Sequence, residues 1–214
     1  MASAMKRSGE MWVREEDTFM PRHFDVSGDR FEIEHLDAAL AFCPGRKLAV
    51  DVGAHYGSWS RHLARQFDEV LAFEPVQTTF DCLVRNTKPF SNIRVFRQAV
   101  GNTHGRVSVG VGKMYQHPGM ETVIGYDGDI DLVRIDDLEL SALDFIKIDV
   151  EGFELQVLQG AERTLQCFRP IVLFEENIRG PLEHNVENGS CQRFLENLGA
   201  KLLTVQNKDF IFGW

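Results

Sequence analysis

Short, mostly apolar runs punctuate this chain, and between them apolar positions recur three or four residues apart. Leu48 to Val52, Val70 to Phe73, Ile93 to Phe96, Phe145 to Ile148 and Ile171 to Phe174 predict strands buried on both faces of a parallel sheet. Trp59, Leu63 and Phe67, then Phe80, Leu83 and Val84, then Phe153, Val157, Gly160, Ala161 and Leu165 fall at helical spacing between those runs. Strand, helix, strand in one sheet is a right-handed crossover, so all these strands end at one edge, where open α/β sheets bind ligands.

Three stretches depart from that pattern. Arg106 to Val111 alternates like an antiparallel edge hairpin and leads into a turn-rich loop, Lys113 to Glu121, and a glycine- and acid-rich segment, Tyr126 to Asp129. A short strand, Leu132 to Ile135, follows. Leu202 to Val205 and Phe210 to Phe212 predict a closing hairpin across Asn207-Lys208-Asp209, preceded by a helix over Cys191 to Leu198. Residues 1 to about 30 lack sustained periodicity and predict an arm that is flexible or ordered only by docking, with Trp12, Phe19 and Phe24 as docking groups. Leu36, Ala39, Leu40 and Phe42 then mark an amphipathic helix stopped by Pro44-Gly45, covering the first strand or roofing the site.

A chain of 214 residues with 43% hydrophobic content supports one domain with a substantial core. Its charge, 23 − 32 = −9, disfavours nucleic acid and anionic membrane as partners. Arg85, Lys88, Arg94, Arg97 and Arg106 read as a solvated helix end and strand edge. Cys43, Cys82, Cys167 and Cys191 are too scattered for a zinc cluster or redox pair. With no membrane-length apolar run and no secretory segment at the start, the expectation is a soluble, cytoplasmic protein.

Two stretches carry chemistry. In the first, the strand ending in Asp51-Val52 runs into a loop, Gly53 to Gly57, with Ser58 as N-cap of a helix, and the next strand ends in Glu74-Pro75, 23 residues beyond Asp51. Strand, glycine loop, helix, strand and acid make a nucleotide-cofactor unit in which the acid binds a ribose diol. The spacing is G-x-x-x-G, and Asp51 would repel a pyrophosphate; a cofactor with a cationic amino group suits it, which favours S-adenosylmethionine over NAD. In the second stretch, Lys147, Asp149 and Glu151 share a strand face, Gly152 permits a turn, and the following strand ends in Glu175.

Asp51-Val52-Gly53-Ala54-His55-Tyr56-Gly57 with Glu74-Pro75 resembles the first motifs of class I S-adenosylmethionine-dependent methyltransferases. Ile146-Lys147-Ile148-Asp149-Val150-Glu151-Gly152-Phe153-Glu154 with Val157-Leu158-Gln159-Gly160-Ala161 resembles the signature of the FkbM family in that class. The resemblance spans about residues 47 to 212. It implies a Rossmann-like, seven-stranded, mostly parallel sheet with an antiparallel last strand and helices on both faces, forming one methyltransferase domain over 31–214 behind the arm of 1–30. It also implies O-methylation of a sugar, glycan or other small hydroxylated molecule. Asp51, Gly53, Ala54 and Gly57 would line the methionine part, Glu74 the ribose, Gln98 and Ala99 the adenine side, and Asp149 the methionine or substrate side, with Val52, His55, Ser58 and Pro75 as further cofactor-binding positions.

Methylating a hydroxyl needs alignment and a base. Asp149, Glu151, Glu175 and His117 are the candidates, with Lys147 if burial lowers its pKa. Glu151 also suits a helix cap, His117 beside Pro118-Gly119 suits an ordinary loop, and Asp149 with Glu175 is a minority site for a divalent metal. The insert of residues 101–130 is placed to select the acceptor. The alternatives are an N-methyltransferase acting on a small molecule or protein, and a nucleotide-binding oxidoreductase that leaves the Asp149 to Gly160 signature unexplained.

Overall fold

The computed structural model describes residues 4–112, 120–176 and 179–214. In chain order these form β1 (Met5–Ser8), β2 (Met11–Arg14), α1 (Met20–Ser27), α2 (Ile33–Leu40), β3 (Leu48–Val52), α3 (Ser58–Ala64), β4 (Glu69–Phe73), α4 (Gln77–Thr87), β5 (Ile93–Phe96), β6 (Ala99–Val100), β7 (Gly105–Val111) and β8 (Glu121–Val133). There follow β9 (Phe145–Ile148), α5 (Glu154–Gln159), α6 (Glu162–Phe168), β10 (Ile171–Glu175), α7 (Arg179–His184), α8 (Ser190–Asn197), β11 (Lys201–Gln206) and β12 (Asp209–Gly213).

Seven strands share a sheet in the order β5-β4-β3-β9-β10-β12-β11. The first five are mutually parallel and β12 is antiparallel to both of its neighbours, as the resemblance implied. Strand alternation divides the core between the two faces. Val50, Val52, Ile146, Ile148, Val172 and Phe174 pack under α5, α6 and α8. Ala49, Val70, Phe145, Leu173 and Ile211 pack under α2 and α3.

The helix expected to run through Gly160 is interrupted there. A Cβ on Gly160 would lie 1.8 Å from the Gly101 carbonyl oxygen, so this close approach requires glycine. The Gly160 carbonyl, meanwhile, accepts the Asp136 amide instead of continuing a helical ladder.

The alternating run in the insert forms no edge of the main sheet. β7 pairs antiparallel with β8, and β6 joins on the other side to make a separate three-stranded sheet. Its apolar face, with Val107, Val123, Ile130 and Leu132, closes on Phe153. Tyr126 to Asp129 lie within β8, where the pairing register shifts, and Leu132 and Val133 end that strand. Ile135 opens a short 3-10 turn.

Within the first thirty residues β1 and β2 form a hairpin docked on α4, with Trp12 and Phe24 among the docking groups. Asn86 clamps it: its Oδ1 accepts the Trp12 amide, and its Nδ2 donates to the Trp12 and Tyr56 carbonyls. Met11, Val13 and Phe24 are buried with Tyr56 and Cys82, and the Arg85 guanidinium covers the Trp12 ring. Four-residue strands are too short to show a period, which is why the sequence concealed them. Among the described residues no helix is long and apolar enough to cross a membrane.

Candidate active site

A cavity of about 630 Å³ opens at the C-terminal edge of the parallel strands, within the range of sites that hold a drug-sized ligand. The loop after β3 forms one wall. Gly53 has φ 78°, and a Cβ there would lie 1.8 Å from the Asp149 carbonyl oxygen, so the β3 and β9 loops meet only because this residue is glycine. Ala54, His55 and Ser58 continue the wall, the Ser58 hydroxyl donating to the Asp29 carbonyl. Gly57, not Ser58, occupies the helix N-cap.

Glu74 closes the wall from the end of β4. Its two oxygens accept the backbone N–H groups of His55 (3.0 Å) and Val76 (2.9 Å), which ties the glycine loop to the β4 exit. A carboxylate has about four acceptor positions, so each oxygen retains capacity for a ligand hydroxyl. Burial pushes this carboxyl up to about 7, against the opposing pull of the two amides. His55 is held down to about 4, first by burial and then by the charge of Arg14, so its ring is neutral at neutral pH. Its Nε2 is buried without a hydrogen-bond partner among the described residues, a polar atom left for a ligand to satisfy.

Lys147 and Asp51 face away from solvent together. They are register partners on β9 and β3, on the face that α3 covers. Asp51 is 0% exposed; its Oδ2 accepts the Ser60 hydroxyl at 2.5 Å and its Oδ1 lies 3.4 Å from Lys147 Nζ. Lys147 also donates to the Gly53 carbonyl (2.7 Å) and lies 3.6 Å from Asp149 Oδ2. Burial alone would lower its pKa; the carboxylates of Asp51 and Asp149 outweigh it and the net shift is upward. Lys147 is therefore held as a cation, which does not suit the role of base it was a candidate for.

Of the other expected residues, Pro75, Asp149, Glu151 and Glu175 line the cavity, and His117 lies outside the described residues. Asp51, Val52, Gly57, Gln98 and Ala99 are placed away from it. Asp51 and Val52 point to opposite faces of a fully buried strand. Gly57 packs on α4, where a Cβ would meet Leu83 at 2.6 Å. Ala99 is drawn into the small sheet through β6, and Gln98 precedes it. Glu151 is no helix cap. It sits at φ 59°, and Glu154 instead reaches back to accept the amides of Val150 and Gly152. Among the described residues no three acids, histidines or cysteines gather as a metal set, so Asp149 and Glu175 lack a third ligand there.

The opposite wall was not foreseen. Asp17, Phe19, Arg22 and Phe31 come from the N-terminal segment, Glu32 from the start of α2 and Asp209 from the start of β12. A polar network fixes that segment: Tyr56 Oη donates to Asp17 and accepts from Arg14 Nε, while Arg14 Nη1 pairs with Glu121 of β8 at 2.6 Å. The position of Asp209 follows from topology, because the first residue of an antiparallel strand lies at the edge where its parallel neighbours end. In the sequence the only sign of it was the predicted closing hairpin.

The methyltransferase FkbM domain family matches residues 51–202. The chain belongs to that family. It is 26% identical to methyltransferase sdnD of Sordaria araneosa, over 58% of this chain, and spans 63% of that relative, less than two thirds of its length. The FkbM methyltransferase structure from Methylobacillus flagellatus KT superposes with a TM-score of 0.52 at 22% identity, covering 79% of this chain and 44% of that one. A putative methyltransferase from Streptococcus mutans, solved in complex with SAH, gives 0.54 at 11%, covering 84% and 94%. At these identities the structures show the fold.

FkbM membership indicates S-adenosylmethionine as the cofactor, and the cavity fits it. The Gly53 cradle, the Glu74 carboxylate with free acceptor positions and the unpartnered His55 Nε2 lie on one wall, and the surrounding acids suit a molecule carrying a sulfonium and an ammonium.

Proposed function

We propose that this FkbM protein transfers the methyl group of S-adenosylmethionine to a hydroxyl of a sugar, glycan or other small molecule. The observation that carries this reading is one cavity with two unlike walls, a glycine loop with Glu74 on one side and aromatic residues with acids on the other. In this reading Gly53, Ala54 and His55 hold the methionine part and Glu74 the ribose hydroxyls. Asp149, whose backbone abuts Gly53, stands between donor and acceptor. Phe19 and Phe31 offer faces on which a sugar ring or an apolar acceptor packs. Residues 31–214 act as one domain, and the docked N-terminal segment completes the acceptor wall together with Val109, Thr122 and Val123 of the insert.

Methyl transfer is an in-line displacement, so the protein's main task is to hold the acceptor oxygen, methyl carbon and sulfur on one axis. The acid-rich wall disfavours the pyrophosphate of NAD. Calorimetric titration with S-adenosylhomocysteine and with NAD tests the donor, and binding of NAD alone would refute it. Mass spectrometry of monosaccharides, glycosides and matched amines incubated with isotopically labelled donor tests the acceptor. Label appearing on oxygen supports the reading, and label on nitrogen alone overturns the O-methyl assignment.

A further inference from the structure

We propose that Asp209, oriented by His35, is the carboxylate that takes the proton from the acceptor hydroxyl. This inference rests on the O-methyltransferase reading above and names a residue for its proton transfer.

His35, on α2, places Nδ1 2.7 Å from Asp209 Oδ2, and its Nε2 lies 3.1 Å from Asn207 Nδ2. An amide nitrogen is only a donor, so Nε2 accepts and Nδ1 carries the hydrogen that Asp209 accepts. Both ring nitrogens are thus held by one hairpin turn, in which Asn207 takes φ 56°, a conformation asparagine tolerates. Asp209 is the register partner of Glu175 and lines the cavity. The imidazole thereby fixes the orientation of the Asp209 carboxylate.

The Asp149 carboxylate is engaged differently: it lies 3.6 Å from Lys147 Nζ, and its side chain is 41% exposed. Around Asp209 stand His35 and Glu32 from α2 and its entry, Lys147 from β9 and Asp149 just beyond it, and Glu175 from β10. Burial is the largest effect on Asp209 and raises its proton affinity; the His35 hydrogen bond and the Lys147 charge oppose it, the charge of Asp149 adds to it, and the net shift is upward.

In the step itself, the acceptor O–H proton passes to Asp209 as the oxygen forms its bond to the methyl carbon. The carbon–sulfur bond breaks, its electron pair stays on sulfur, and S-adenosylhomocysteine leaves. Asp209 then returns its proton to solvent.

Two measurements on the full chain test this. Carbon-13 carboxyl NMR follows the titration of Asp209 in the wild type and in His35→Leu. Loss of the imidazole donor should raise its midpoint, and an unchanged midpoint overturns the dyad. In the methyl-transfer assay with the glycoside panel, Asp209→Asn should lower kcat roughly 10²–10⁴-fold with the donor KM little changed. The wild-type rate should rise with pH through the Asp209 midpoint. His35→Asn, which keeps an N–H near the Nδ1 position, should retain more kcat than His35→Leu at matched melting temperature. If Asp209→Asn stays within about twofold while Glu32→Gln or Glu175→Gln takes the loss, the assignment is wrong. A shifted Asp209 midpoint in a wild type that methylates nothing in the panel counts against the O-methyl reading and not against the dyad.

Discussion

Replacing Lys147 by methionine separates a structural cation from a catalytic one. Asp51 is fully buried, and its carboxylate is held by the Ser60 hydroxyl at 2.5 Å and by Lys147 Nζ at 3.4 Å. Methionine keeps most of the side-chain volume and leaves Asp51 as a buried charge without its cation, which costs roughly 3–5 kcal/mol when one partner of such a pair is removed. The other contacts of Lys147 matter less. Asp149 is 41% exposed on its side chain, so water screens its loss, and Gly53 is partly exposed, so water can replace the donor at its carbonyl. For a chain of this size, about 2–4 °C is lost per kcal/mol, so the melting temperature should fall by roughly 6–20 °C. Calorimetry and urea unfolding with an unchanged m-value would measure it. Adding Asp51→Asn to Lys147→Met removes the stranded charge and should restore most of the loss, because buried pairs owe little net stability to their attraction. If Lys147→Met costs under about 1 kcal/mol, or if the two substitutions simply add, the pair is not the coupled unit described above.

Four further outcomes are expected. Glu74→Gln should weaken S-adenosylhomocysteine binding by on the order of 1.5–3 kcal/mol in calorimetry; wild-type affinity should climb as pH rises through about 7 and this climb should vanish in the variant. Ligand-free stability should move the other way. The buried carboxyls of Glu74 and Glu154 are both raised from 4.5 to about 7, so their contribution is complete below about 4.5 and is lost as pH rises to about 7, a trend that melting curves at several pH values would show. Gly160→Ala should destabilise by roughly 1–3 kcal/mol or more in urea unfolding, since its Cβ would sit 1.8 Å from the Gly101 backbone and one loop must move. Phe19→Ala, at a 60% exposed side chain on the acceptor wall, should raise the acceptor KM while leaving donor affinity and melting temperature nearly unchanged; a loss of donor affinity would place this wall on the cofactor side.

The parallel strands, the glycine loop and the acids at the strand ends were legible in the sequence because each depends on local spacing. A run such as Phe145 to Ile148 must be buried on both faces, and crossover handedness then sends the ends of β3, β4, β9 and β10 to one edge. The family resemblance added the antiparallel last strand and the hydroxyl acceptor. Which side of a strand each polar residue serves was decided only by tertiary packing. Asp51 reads as a cofactor residue from its place before Gly53, yet strand alternation turns it under α3 onto Lys147, whose charge depends on two carboxylates distant in sequence. Gln98 and Ala99 lie outside the cavity lining, Ala99 being drawn into a second sheet through β6. The N-terminal wall and the Asp209–His35 pair were hidden for the same reason. Two four-residue strands carry no periodicity of their own, and a histidine and an aspartate 174 residues apart meet only when α2 packs over the end of the final hairpin. Local pattern fixes what each segment becomes, but the pairing of buried polar groups depends on which segments fold against one another.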